Sequence, residues 1–329
     1  MDIDACPKIE LHLHLEGAAP PHLIRQLAAE KHKDIGGIFA ENGDYQFTDF
    51  GHFLKVYEAA TSVLTAPEDF YRLTCEVLQQ SAEQGVIYTE VFVSPDFCGG
   101  CDLAAWQEYL AAIEQAAGHS EREFGIIAKC IVTCIRHFGP DQARKAARCA
   151  AETAGDFIVG FGMGGDELQG RQGDFAYSFD MAREAKLHLT THAGEWSGAE
   201  SVRQAVFDLN VERISHGVQV IDDLALVEEL VAWQITLEVC PGSNLALVGV
   251  YPTLSAHPIK PLRSAGVKTT ISTDDPPFFH TTLGQEYRQL AGTFGWTSKD
   301  FTALNRTAAE AAFCSAETRQ SLLEKLEKT

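Results

Sequence analysis

The sequence predicts an α/β fold, a (β/α)8 TIM-type barrel, and three observations carry that prediction. The chain has 329 residues, about the size of one large barrel. Eight short apolar runs alternate along it with amphipathic stretches of helical period. Most of those runs end on carboxylates, imidazoles or amides, for which a purely structural core has no use.

The elements follow in chain order. The first run is Ile9 to Leu15, the second Val86 to Val93 and the third Ile126 to Ile135. The fourth is Phe157 to Met163 and the fifth Leu187 to Thr191. Arg213 to Ser215 is a short sixth, Ile235 to Val239 the seventh and Val267 to Ser272 the eighth. Strands of a parallel sheet are buried on both faces and read as such near-continuous apolar runs. Between them, Glu68 to Glu83, Pro140 to Ala154 and Asp222 to Trp233 carry the pattern of crossover helices. No linker, repeat or low-complexity stretch divides the chain, so residues 1–329 read as a single barrel domain. Pro20 to Thr65 is too long for one crossover helix and reads as an elaborated first βα connection. Such an insertion is expected over the barrel mouth, where it excludes water.

Composition narrows the function. The formal net charge of −20 opposes phosphate backbones and anionic membranes, so neither nucleic acid nor a membrane is an expected partner. A small, neutral or weakly charged substrate fits better. Met1-Asp2-Ile3-Asp4 is the opposite of a secretory leader, and no run reaches the roughly 18 apolar residues of a membrane span. The nine cysteines are scattered in apolar surroundings, the pattern of reduced thiols in a cytoplasmic protein. Cys98 and Cys101 have CxxC spacing but lack the second pair that a closed zinc site needs, so they read as loop thiols.

The chemistry sits at the run ends. In a barrel, all strand C-termini converge on one face. His12 and His14 are two apart, so a strand points both imidazoles to one side. Two neutral imidazoles facing each other in a core suit a divalent metal. His192 and Asp274, ending the fifth and eighth runs, complete a set of three His and one carboxylate. That set leaves room for a water, which marks a catalytic site. Zinc suits these donors best, and iron, cobalt or manganese fit the same set. Glu195 follows His192 across a tight Ala-Gly turn, and a carboxyl in a dry site has the raised pKa of a proton shuttle. His216, ending the sixth run before Gly217, is placed to hydrogen-bond the attacking water. Asp275 points away from Asp274 and is free to meet a substrate.

Seven motifs, in order along almost the whole chain, resemble those of the adenosine deaminase family within the amidohydrolase superfamily. They are Pro7 to Ala18, Gly85 to Pro95, Gly164 to Glu167, His192 to Glu195, Arg213 to Gly217, Cys240 to Asn244 and Ser272 to Pro276. The resemblance implies one Zn2+ on His12, His14, His192 and Asp274, with Glu195 protonating purine N1 and His216 orienting the attacking water. It also implies contacts from Asp275 to N7, from the Gly165 backbone to N3, and from Glu16 to the substrate. The implied reaction is hydrolytic deamination at C6 of an aminopurine.

Two markers bear on which purine. Adenosine deaminases usually have Asp at the position of Glu16, where it meets the ribose, whereas adenine deaminases have Glu. Gly164 and Gly165 resemble the nucleoside enzymes, because the adenine enzymes tend to have serines there. On the glycine pair, the expectation is adenosine or deoxyadenosine to inosine plus ammonia. The alternatives are adenine to hypoxanthine, or another 6-aminopurine nucleoside. His280, Ser215 and Gly242 also depart from the family pattern. A catalytically silent binding protein would have lost a ligand or Glu195, and none is missing. A binuclear phosphotriesterase-like site would want a Lys where the fourth run ends in glycines.

Overall fold

The computed structural model describes residues 3, 4 and 6–328. Its frame is one sheet of eight parallel strands in sequential order, β1 to β8. These are β1 (Lys8–His14), β2 (Val86–Val93), β3 (Ile127–Ile135), β4 (Ile158–Gly164), β5 (His188–Ala193), β6 (Arg213–His216), β7 (Thr236–Val239) and β8 (Lys268–Ile271). Helices fill the crossovers. After β1 come α1 (Pro21–Glu30), α2 (Phe50–Thr61) and α3 (Pro67–Glu83), and after β2 comes α4 (Leu103–Phe124). Then follow α5 (Pro140–Glu152), α6 (Ala176–Glu184), α7 (Ala199–Leu209), α8 (Leu224–Trp233), the single turn α9 (Pro241–Ser243) and α10 (Ile259–Ser264). Beyond β8 the chain ends in α11 (Leu283–Phe294), α12 (Ser298–Ala311) and α13 (Ala316–Glu327). Right-handed βα crossovers wrap such a parallel sheet into a (β/α)8 TIM barrel, the fold class expected.

The seam between β8 and β1 closes at functional residues. His14 N–H donates to the Asp274 carbonyl at 3.0 Å, and Asp274 N–H donates to the His12 carbonyl at 3.2 Å. Lower on the seam, Ser272 Oγ accepts the N–H groups of Leu11 and His12 at 3.3 and 3.2 Å. A register shift between Glu10 and Leu13 against β2 explains why a side chain must serve two adjacent amides there. The strand that carries two imidazoles is thus tied to the residue after β8 that carries the carboxylate.

Polar groups also build the barrel interior. Arg213 is buried, with Nη2 2.6 Å from Glu90 and Nε 2.6 Å from Glu238. Its guanidinium lies 3.5 Å from the centroid of Phe313. Burying one cation between two carboxylates is tolerable only because every partner is present.

In the first connection, the Asp49 side chain caps α2 by accepting the His52 N–H at 2.9 Å. Ahead of it, Tyr45 stacks on Phe278 at 4.1 Å, which ties this segment to the loop after β8. Phe50, Phe53, Leu54 and Tyr57 of α2 line the cavity at the barrel mouth. All nine cysteines are free thiols. No helix among the described residues is long and apolar enough to cross a membrane.

Candidate active site

His12, His14, His192 and Asp274 come together at the C-terminal mouth, with one donor atom of each within 4.8 Å of the others. His12 and His14 share a face of β1, and His192 sits near the end of β5. Asp274 adopts φ +69°, a left-handed conformation that Asp tolerates and that turns its carboxylate inward. Its Oδ1 lies 3.1 Å from His12 Nε2 and 3.2 Å from His14 Nε2. His14 Nε2 and His192 Nε2 face each other at 3.2 Å.

The outer ring nitrogens explain that inward aim. His12 Nδ1 lies 3.1 Å from Glu238 Oε2, and His192 Nδ1 donates to the Met163 carbonyl at 2.8 Å. Each bond holds the proton on Nδ1 and leaves the Nε2 lone pair pointing into the cluster, the arrangement of ligating histidines. The electrostatics agree. Burial drives His192 well below the ordinary histidine value, and nearby imidazoles add to it. Burial also lowers His14. It would lower His12 too, but Asp274 and Glu238 overcome it and raise that ring to about 9. A histidine pressed into positive charge between two buried carboxylates marks a place that demands a cation. The residues therefore fit a divalent metal ion.

Sequence reasoning missed Glu238. It sits in the middle of β7 and accepts from Ser215 Oγ at 2.8 Å and from Thr190 Oγ1 at 3.1 Å, besides holding Arg213 and His12. Ser215, a departure from the family pattern, therefore helps orient a ligand's partner. The only signal was a lone Glu inside an apolar run.

Glu195 and His216 stand beside the cluster. His216 Nε2 is 3.8 Å from Glu195 Oε2 and 3.8 Å from Asp274 Oδ2, and it has no hydrogen-bond partner. Glu195 Oε1 is likewise buried and unpartnered. Burial, then the charges of Asp274 and Glu167, push the Glu195 carboxyl well above the usual carboxylate range. Glu167 builds the loop that presents it. Its carboxylate accepts the backbone N–H groups of Gly194, Glu195, Trp196 and Ser197 at 2.5 to 3.1 Å. His216 (φ +62°) and Gly194 (φ +65°) make the two strand ends turn sharply enough for these groups to meet.

Asp275 and Gly165 both line the cavity beside the cluster. Asp275 Oδ1 is buried without a partner, and burial with the charge of Asp274 raises its carboxyl well above normal. Gly165 lies at φ +97°, and a β-carbon there would stand 2.7 Å from His137 Nδ1. A β-carbon on Gly164 would stand 3.3 Å from His192 Cε1. Two histidines thus explain the glycine pair. Glu16 is not on the cavity wall: it is buried, accepts the Ser94 N–H at 2.9 Å and is raised to about 7 by burial.

The remaining wall is Phe50, Phe53, Leu54, Tyr57, Phe97 and Leu247, with Ile135 and Phe138 beside them. His137 also lines it, with Nδ1 accepting the Asp166 N–H at 3.2 Å. His280 is exposed, 4.0 Å from Asp44, and lies outside this cavity. Cys98 and Cys101 are buried loop thiols and join no cluster of metal-binding groups among the described residues.

A parallel barrel with three imidazoles and a carboxylate at its mouth, flanked by a buried Glu and an unpartnered His, has the arrangement of a hydrolase of the amidohydrolase type, with donors that fit a metal ion. Comparison makes this particular: the family model "Adenosine deaminase" matches residues 7–329, and the chain belongs to the adenosine deaminase family. A curated relative from Rhizobium leguminosarum named adenine deaminase is 45% identical over 319 residues, 97% of this chain and 98% of its own. The adenine deaminase structure from Arthrobacter aurescens superposes with a TM-score of 0.90 at 29% identity, covering 98% of this chain and 99% of that one. An amidohydrolase from Burkholderia ambifaria shares the fold, with a TM-score of 0.87 at 24% identity over 99% and 94% of the two chains. The protein is a hydrolase acting on C–N bonds, a deaminase.

Proposed function

We propose that this enzyme converts adenine and water to hypoxanthine and ammonia, with one zinc ion held by His12, His14, His192 and Asp274. The observation that carries the choice of substrate is the cavity wall. Beyond the reacting groups it is mainly aromatic and aliphatic, its polar members being Glu58, His137 and the Tyr57 hydroxyl. A ribose would bury hydroxyls against such a wall with few partners, at a cost of about 1–3 kcal/mol for each one left unpaired. Glu16, expected to meet the substrate, is occupied by the Ser94 N–H instead. The names of the relatives at 44–45% identity support the same substrate. This replaces adenosine, the reading favoured by the glycine pair, because that pair has a packing reason in His137 and His192.

A bound divalent ion supplies the Lewis acidity that makes a water nucleophilic near neutral pH, and zinc suits three imidazoles with one carboxylate. Glu195, held protonated by burial, gives its proton to purine N1, which draws electron density from C6. His216 faces the space between Glu195 and Asp274 and orients the attacking water. Asp275 Oδ1 meets N7 and the Gly165 backbone meets N3. As the C6–O bond forms, Glu195 takes one proton from the attacking water, replacing the one it gave to N1. It then relays the remaining proton of the C6 hydroxyl to the amino group, the C6–N bond breaks, ammonia leaves, and Glu195 ends protonated as it began. The free thiols fit a reducing compartment and hence the cytoplasm.

The test is kcat/KM on adenine and adenosine side by side, followed by ultraviolet absorbance. Adenine should win by about a hundredfold or more. Equal or faster turnover of adenosine would overturn the assignment.

A further inference from the structure

The outer nitrogen of His216 leads into a chain of buried hydrogen bonds that ends on the backbone. His216 Nδ1 lies 3.1 Å from Asn244 Nδ2, and Asn244 Oδ1 lies 3.1 Å from His257 Nε2. His257 Nδ1 accepts the N–H of Ile259, the first residue of α10, at 3.2 Å. His216, Asn244 and His257 are all at most 1% exposed. A backbone N–H can only donate, so the direction of every bond in the chain is set from this end. His257 Nδ1 is an acceptor, which puts its proton on Nε2. Nε2–H donates to Asn244 Oδ1, which fixes the amide the way it stands. The amide NH2 then donates to His216 Nδ1, and the His216 proton must sit on Nε2.

We propose that His257 and Asn244 are positioning residues that lock His216 in its Nε2–H tautomer. His216 then presents a donor, not a lone pair, to the space between Glu195 and Asp274. The consequence for the reaction is specific. In this tautomer His216 holds the attacking water through the oxygen and cannot take its proton, which leaves that task to Glu195. It also decides a second question. His216, Cys240 and Asp274 have donor atoms within 4.8 Å of one another, which on distance alone suggests a second cation site. With Nε2 protonated, His216 has no lone pair to offer there. Burial agrees at the far end of the chain, holding His257 near 4, so that ring is neutral and its Nδ1 is free to accept.

The inference rests on the reading of His216 as the group that faces the water, and its test is independent of which purine is turned over. The metal-loaded, 15N-histidine-labelled full chain is examined by NMR, with His216 assigned by its loss in His216→Gln. Wild type should show a protonated Nε2 and an unprotonated Nδ1 on His216. A protonated Nδ1 would overturn the proposal without recourse to any variant. Asn244→Asp can only accept, so it should move the His216 proton to Nδ1 and lower kcat about a hundredfold or more, with KM and metal content unchanged. Unchanged kcat in Asn244→Asp would also overturn it. His257→Gln still offers an N–H to Asn244 Oδ1 and should keep most of the rate that His257→Leu loses. Equal rates in these two variants would count against the relay.

Discussion

Gly17 and Asp275 compete for one space: a β-carbon built on Gly17 would lie 1.5 Å from Asp275 Oδ1. The absence of a side chain at residue 17 is therefore what leaves room for the unpartnered Oδ1 of Asp275, the oxygen proposed to meet the purine. Gly17→Ala should displace Asp275 and raise KM for adenine about tenfold, the cost of roughly one hydrogen bond. Metal content should stay at the wild-type value, because Asp274 is tied separately to β1. Steady-state kinetics with metal analysis checks this, and an unchanged KM would mean that Asp275 does not touch the purine.

Glu195→Gln tests the proton shuttle. The change keeps the shape of the side chain but leaves it with no proton to give or take. Turnover should fall on the order of a thousandfold while metal binding is retained, since Glu195 is not one of the four clustered donors. Retained activity, or loss of metal, would contradict the role assigned to it.

His12→Ala separates binding from chemistry. His12 lies between Asp274 Oδ1 and Glu238 Oε2, at 3.1 Å from each. Removing it deletes a ligand and leaves two buried carboxylates without their shared imidazole. Metal and activity should be lost together, and added chelator should lower the thermal midpoint of wild type but not of the variant. A variant that still binds one metal with wild-type affinity would remove His12 from the ligand set.

Much of this was legible in the sequence for a physical reason. Strands buried on both faces leave apolar runs, and all eight match the observed strands within two residues. The cluster of His12, His14, His192 and Asp274 was legible because imidazoles and carboxylates at the ends of such runs have no structural use. What stayed hidden depends on which chain segments meet in space. Glu238 is one Glu in a strand until β1 brings His12 against it. The aromatic wall is a run of Phe and Tyr until α2 folds over the mouth. The glycine pair misled because nothing in the sequence says that His137, about thirty residues earlier, fills the space beside Gly165. The departure at Gly242 has a reason of the same kind: a β-carbon there would stand 2.2 Å from Glu286 Oε1.

Glu286 gives the last prediction, about stability and pH. It is 1% exposed and accepts from Thr281 Oγ1 at 2.7 Å and from the Gly242 N–H at 3.1 Å. Burial outweighs both bonds and raises its carboxyl from the ordinary 4.5 to about 7. The folded state therefore holds this proton more tightly than the unfolded chain does. Below about pH 4.5 both states are protonated and Glu286 costs nothing. As pH rises from there to about 7, the unfolded chain releases its proton first and stability declines. Above about 7 the folded state carries the full cost of a buried charge, on the order of 3 kcal/mol. Glu286→Gln removes the charge while its amide still accepts from Gly242 and donates to Thr281. The variant should come closest to wild type near pH 4 and become the more stable of the two as pH rises toward 8. Urea unfolding of both proteins across that range measures the gap directly, since titrations common to the two cancel in the difference. A gap that stays constant with pH would show that Glu286 titrates alike in the folded and unfolded chains.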